Sequence, residues 1–146
     1  MQSIEVENQV GSNLSVRTEP LFLQTIITNL IENAIKYNKE NGKVIVSACA
    51  IEGGCEVHVV DTGIGISRDE IGKVFNRFYR VDKSRSRKSG GSGLGLSIVK
   101  TLLNRLGGRI SIQSQLDKGT EAVFFIPNYQ ENIETSYDEK EKNEEV

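Results

Sequence analysis

Asn29, Asn33 and Lys36 are spaced by four and three residues, so a helix lines them along one face, with Tyr37 flanking that stripe. Two amides and an ammonium amid isoleucines make either a solvated helix face or a ligand site. As a ligand site, Asn33 suits Mg²⁺. This hard cation takes oxygen ligands and keeps most of its shell as water and phosphate, so one neutral amide oxygen is enough. Lys36 and Tyr37 can then touch phosphate or ribose. Asp61 closes the apolar run Val57-His58-Val59-Val60. A carboxylate there accepts a hydrogen bond from the exocyclic amine of adenine, whereas a guanine carbonyl has no proton to give. Gly63 and Gly65 remove side chains so that a base can approach the backbone. Gly91, Gly93 and Gly95 precede an apolar-periodic stretch, and freed backbone amides at a helix start suit an anion. Between the glycine blocks lie Arg77, Arg80, Lys83, Arg85, Arg87 and Lys88. The guanidinium fork fits phosphate oxygens, and Arg80, at the end of an aromatic helix, is the candidate for the γ-phosphate.

The commoner nucleotide-binding patterns do not match. In the dinucleotide fingerprint G-x-G-x-x-G the third glycine falls one residue later than here, and no P-loop string is present. The H-R-D and D-F-G strings of eukaryotic-type protein kinases are also absent. His58, the only histidine, alternates with valines and has no evident orienting carboxylate, so it reads as a structural or exposed strand residue. Cys49 and Cys55 flank a turn without metal-ligand spacing and read as reduced thiols.

Several elements must position these groups. The first 17 residues alternate apolar and polar around Gly11 and suggest a short strand pair. From Glu19 to Tyr37 the pattern is helical, with Pro20 in the tolerated first turn. Val44 to Ala50 and Glu56 to Val60 read as a hairpin about Glu52-Gly53-Gly54. Ser67 and Glu70 form a capping-box pair, predicting a helix through about Tyr79 that buries Ile71, Val74, Phe75 and Phe78. Residues 81–92 read as a mobile loop. A helix from near Leu94 to Leu106 should stop at Gly107-Gly108. Two strands follow, over 109–115 and 120–126, joined at Asp117-Lys118-Gly119.

A chain of 146 residues with 37% hydrophobic and 26% charged residues holds one cored domain. The expected boundaries are a domain over 1–128 and an acidic, disordered tail over 129–146. The net charge of −2 conceals a basic body ahead of that tail. Its positive charge is concentrated in one stretch, as for a phosphate contact, and forms no broad nucleic-acid face. No apolar run reaches the roughly 20 residues of a membrane span.

In order, these blocks resemble the catalytic ATP-binding domain of bacterial sensor histidine kinases, in the wider group with gyrase, Hsp90 and MutL. Asn29-Leu-Ile-Glu-Asn33-Ala-Ile-Lys36-Tyr37 resembles the N box and Asp61-Thr-Gly63-Ile-Gly65-Ile the G1 box. Phe75-Asn-Arg-Phe78-Tyr-Arg80 resembles the F box, and Gly91-Ser-Gly93-Leu94-Gly95-Leu96 the G2 box. Asp117-Lys-Gly119-Thr120 resembles the closing glycine turn. The likeness extends from Ser3 to Asn128.

It implies the Bergerat fold, an α+β two-layer sandwich. A mixed sheet of about five strands is covered on one face by three helices, with a mobile ATP lid between the F and G2 boxes. It further implies ATP and Mg²⁺ as ligands, Asn33 on the metal and Asp61 on adenine. Asn29, Lys36, Tyr37 and Arg80 are implied around phosphates and sugar, and Gly63, Gly65, Gly91, Gly93, Leu94, Gly95, Leu96 and Thr120 as further nucleotide contacts. Asn29, Lys36 and Arg80 are the catalytic candidates. The hydrolysing relatives carry a water-activating glutamate where this chain has Asn29. An amide is no general base near neutral pH, so slow intrinsic hydrolysis is expected.

The family's phosphoacceptor histidine block is absent from this stretch. The implied partners are therefore a separate dimerisation and histidine-phosphotransfer domain, and a response regulator through the full-length protein. The implied setting is cytoplasmic, with a membrane-anchored parent but no direct membrane contact from this stretch. Two alternatives share the fold: a serine kinase of the anti-sigma-factor type, and a nucleotide-gated interaction module.

Overall fold

The computed structural model describes residues 3–76 and 95–129. Five strands form one sheet in the order β1-β2-β3-β5-β4: β1 (Glu5–Asn8), β2 (Lys43–Ile51), β3 (Gly54–Asp61), β4 (Arg109–Gln115) and β5 (Gly119–Pro127). β1 runs parallel to β2 and every other pairing is antiparallel, so the sheet is mixed. Among the described residues the helices are α1 (Pro20–Lys36), α2 (Arg68–Ile71) and α3 (Gly95–Leu106).

Alternation along the central strands sends one set of side chains to the helices. Val44, Val46, Val57, Val59, Ala122, Phe124 and Ile126 meet Ile26, Leu30 and Ala34 of α1 and Val99 and Leu103 of α3 in one buried cluster. Phe124, Ile26, Leu103 and Ile126 have no appreciable solvent contact. Helix α3 ends as its glycines require. Gly107 takes φ +76°, its N–H reaches the Asn104 carbonyl, and the Gly108 N–H reaches Leu103, forming a Schellman closure.

Three expectations are corrected. The expected strand pair over the first 17 residues is not formed among the described residues 3–17: β1 alone is a strand there, and it joins the free edge of β2, with Glu5 opposite Lys43. Alternation reports a half-buried face but not the partner that will cover it. The end of this arm is stapled to the residues just after β5, where Arg17 N–H donates to Asn128 Oδ1 and Tyr129 N–H to the Arg17 carbonyl. The capping-box helix stops at Ile71, because Gly72 follows and glycine costs helix about 1 kcal/mol relative to alanine. Turns then carry the chain to Phe75, with Val74 buried. Ser67 Oγ reaches Glu70 Oε2 at 3.5 Å but caps no backbone N–H. Phe78, the 81–92 loop and the tail beyond Tyr129 lie outside the described residues.

Candidate nucleotide site

A cleft of about 570 Å³, counting its open mouth, lies between α1, the end of β3 and the start of α3. Its walls are largely apolar: Leu30 and Ala34 from α1, Val59 from β3, Ile64 and Ile66 from the following loop, Leu96 from α3, and Ile112 and Ala122 from the sheet. Asn33, Tyr37, Asp61 and Thr120 supply its polar groups, and Gly65 completes the lining.

Asp61 is the last residue of β3 and faces Thr120 across the ladder. Burial pushes its carboxyl up to about 6, opposed by hydrogen bonds from the backbone N–H groups of Gly63 and Thr120. The Gly63 contact is 2.8 Å to Oδ1. Near neutral pH the group is therefore an ionised acceptor, held by two backbone donors in an apolar cleft.

The loop after Asp61 is tied down at each step. Thr62 N–H donates to the Lys43 carbonyl, Ile64 N–H to the Tyr37 carbonyl, and Asp117 N–H to the Ile64 carbonyl. Ile66 N–H donates to Ser114 Oγ at 2.7 Å. A Cβ at Gly63 would collide with the Tyr37 carbonyl oxygen. Gly65 adopts φ +73°, and a Cβ there would strike the Gln115 carbonyl. Both glycines thus serve packing of the loop, and of the two only Gly65 lines the cleft.

On α1, Asn29 donates its amide N–H to the Thr25 carbonyl at 2.9 Å, which leaves Oδ1 directed toward the start of α3. There a Cβ on Gly95 would lie 3.5 Å from Asn29 Oδ1 and 3.6 Å from Asn33 Nδ2. The two amides and Gly95 therefore meet at one edge of the cleft. Among the described residues no hydrogen bond occupies the Asn33 amide. Lys36 does not line the cleft; its Nζ sits 5.3 Å from the Tyr37 ring centroid. The structure thus brings together Asn29, Asn33, Tyr37, Asp61, Gly65, Gly95, Leu96 and Thr120. Arg80, Gly91, Gly93 and Leu94 lie outside the described residues.

Sequence reasoning missed Asn38, which is fully buried. Its Nδ2 donates to the Lys43 carbonyl at 3.0 Å, while Oδ1 accepts from Lys39 N–H at 2.9 Å and from the Thr62 hydroxyl at 3.2 Å. It locks the end of α1 to the Asp61 loop. A polar residue one step past an amphipathic stripe carries no distinguishing pattern. His58 also differs from expectation, because Glu56 Oε1 and Glu121 Oε1 each lie 2.8 Å from a ring nitrogen. Glu56 shares its strand face at i−2, a signal that was readable; Glu121 arrives by β3–β5 pairing. The hydrogen bond with Glu121 raises the imidazole pKa, burial opposes the rise, and Glu56 adds to it.

Among the described residues no group of three His, Cys, Asp or Glu side chains can cage a metal. What the described residues offer at the cleft edge is neutral amide oxygen, from Asn33 and from Asn29. That donor suits a cation carrying its own water and phosphate ligands, as Mg²⁺ does.

An apolar cleft with a half-buried carboxylate acceptor suits a small-molecule ligand, and the sheet with its helices makes a domain of the two-layer α+β class. The chain belongs to the histidine kinase-, DNA gyrase B- and HSP90-like ATPase family, whose pattern it matches over residues 18–130. It is 40% identical over 136 residues to the sensor histidine kinase WalK of Bacillus subtilis strain 168, covering 92% of this chain and 22% of that protein. Its fold matches the mycobacterial sensor histidine kinase MprB with TM-score 0.71 and 31% identity, covering 85% of this chain and 81% of that one. Full-length ShkA, solved in complex with AMPPNP, matches with TM-score 0.70 and 32% identity, over 87% of this chain and 27% of that one. The chain thus spans about a quarter or less of WalK and ShkA. It is an ATP-binding catalytic domain of the sensor histidine kinase type.

Proposed function

We propose that this domain binds Mg-ATP in the cleft and delivers the γ-phosphoryl group to a histidine on a separate helical dimerisation domain, from which a response regulator is served. The observation that carries this reading is the half-buried Asp61 carboxylate in an apolar cleft that the Asn33 amide also lines. Asp61 accepts from the adenine amine, the apolar walls enclose the ring, and Tyr37 and Thr120 border it. The likeness to ShkA, solved with AMPPNP, supports a ligand of ATP shape.

Asn33 would hold Mg²⁺ by its amide oxygen, and the ion when bound neutralises charge between the phosphates. Asn29 orients groups at the phosphate end and takes no proton, since an amide is not a base near neutral pH. The terminal phosphoryl is therefore kept from water and presented to an incoming imidazole, with Lys36 and Arg80 as the cationic assistants. Catalysis then rests on positioning and charge neutralisation.

The test adds a purified histidine-bearing helical domain to this chain with γ-labelled ATP and follows label on protein. Transfer that is stable to alkali and lost in acid is expected. Tight ATP binding with no transfer to any histidine-bearing domain would make the chain a nucleotide-gated binding module instead.

A further inference from the structure

Thr120 faces the cleft beside Asp61, and the direction of its hydroxyl proton decides what it offers to a ligand. Three partners surround the neighbouring Ser114 Oγ. Ile66 N–H lies 2.7 Å away, the Gly119 carbonyl 2.9 Å and Thr120 Oγ1 2.7 Å. A serine hydroxyl has one proton and two lone pairs. Ile66 can only donate and the Gly119 carbonyl can only accept, so one lone pair and the single proton are already assigned. The remaining lone pair meets Thr120, whose hydroxyl must then donate. In the reverse arrangement the Ser114 and Gly119 oxygens would face each other at 2.9 Å without a proton between them.

We infer that Ser114 is a specificity-determining positioning residue: by taking the Thr120 proton, it makes the Thr120 oxygen an acceptor only. Two acceptors, Asp61 and Thr120, then face the base edge. Placed against the position-6 substituent, both accept from an amine and neither can donate to a carbonyl. The inference rests on the proposed placement of the base against Asp61, and adds a second discriminating atom controlled from outside the cleft.

The experiment measures binding to the whole chain of ATP and of inosine triphosphate, which carries a 6-oxo group and an N1–H where ATP has a 6-amine and a bare N1. A Ser114→Ala variant that loses inosine triphosphate binding would place Thr120 against N1 and overturns the inference. In Ser114→Ala the Thr120 hydroxyl is free to turn and donate. The ATP preference should narrow by about tenfold, the scale of one mispaired polar group, mainly through better inosine triphosphate binding. Thr120→Val, which leaves Ser114 bonded to Ile66 and Gly119, should narrow it similarly and decides the matter if Ser114→Ala does not fold. Thr120→Ser should keep the wild-type preference. An unchanged preference in folded Ser114→Ala, or in Thr120→Val, overturns the inference. Asp61→Asn separates the two levels. If it narrows the preference while the other variants do not, only the role of Ser114 falls. If it too leaves the preference intact, the base is not read at Asp61 and the site reading falls with it.

Discussion

Nucleotide affinity should fall as the solution is acidified through about pH 6, the value to which burial raises the Asp61 carboxyl. Only the ionised carboxylate presents both oxygens as acceptors. With a pKa of about 6, protonation weakens the observed affinity by about tenfold at pH 5 and hardly at all above pH 7. The phosphates of the nucleotide titrate in the same range, so the wild type is compared with Asp61→Asn at each pH. Asparagine keeps the shape but neither ionises nor offers two acceptors, and loss of a charged hydrogen bond costs roughly 1.5–3 kcal/mol, about tenfold to a hundredfold. The ratio of the two dissociation constants should therefore be large at pH 7.5 and shrink toward pH 5. Calorimetry in buffers of different ionisation heat gives a second readout, because binding to the ionised form releases protons near pH 6. A ratio that stays level from pH 5 to pH 8, with no proton release, would refute the placement of the base amine on this carboxylate.

The remaining expectations concern other parts of the molecule. Asn33→Ala should abolish the magnesium dependence of ATP binding, measured by titration with and without chelator; wild-type behaviour in that variant removes the metal assignment. His58 gains carboxylate partners in the folded state, so its contribution to stability is complete below the ordinary imidazole value near 6.5 and is lost as pH rises through the raised folded value. The melting-temperature difference between wild type and His58→Gln should accordingly shrink from pH 6 toward pH 9, and a constant difference would contradict the ion-pair account. Phe124→Ala removes the largest fully buried side chain among the described residues, and chemical denaturation should show a loss of about 3–5 kcal/mol. A loss under 1 kcal/mol would mean that the core collapses around the site.

Much of the architecture was legible because its cause is local. The α1 stripe, the β2–β3 and β4–β5 hairpins and the Gly107-Gly108 stop each announce themselves within a few residues. What escaped depended on distant partners. Glu5 to Asn8 alternates as a hairpin strand would, yet pairs with a strand some 40 residues away. Gly72, a readable helix stop, plays no part in the sequence reading, which follows the Ser67–Glu70 pair. In the cleft, the chemically distinctive groups stood out because amides and carboxylates are unusual beside isoleucine and valine. Its apolar walls did not, since Val59, Ile112 and Ala122 belong to the same alternation that builds the core. Asn38 and Ser114 were hidden for a related reason: each acts through three hydrogen bonds set by tertiary contact, and neither spacing nor composition distinguishes them from surface polar residues.

The Asp61 carboxylate, proposed above to meet the base, also works against the nucleotide-free fold. A carboxyl whose folded pKa is raised contributes stability that is complete below its ordinary value of 3.8 and lost as pH rises through about 6. At neutral pH the ionised Asp61 is therefore destabilising, with Gly63 and Thr120 N–H offsetting part of the cost. On the proposed placement a ligand amine would supply a further donor, so that recognition and stability would draw on the same incompletely satisfied acceptor. This explains why the surrounding loop is fastened so densely to α1, β2 and β4. Without Thr62 on Lys43, Ile64 on Tyr37 and Ile66 on Ser114, the chain could relieve the buried charge by swinging Asp61 into water. The fastening keeps the acceptor in the apolar cleft, where a hydrogen bond to it is stronger than in solvent. Its preorganisation leaves less ordering for the nucleotide to drive.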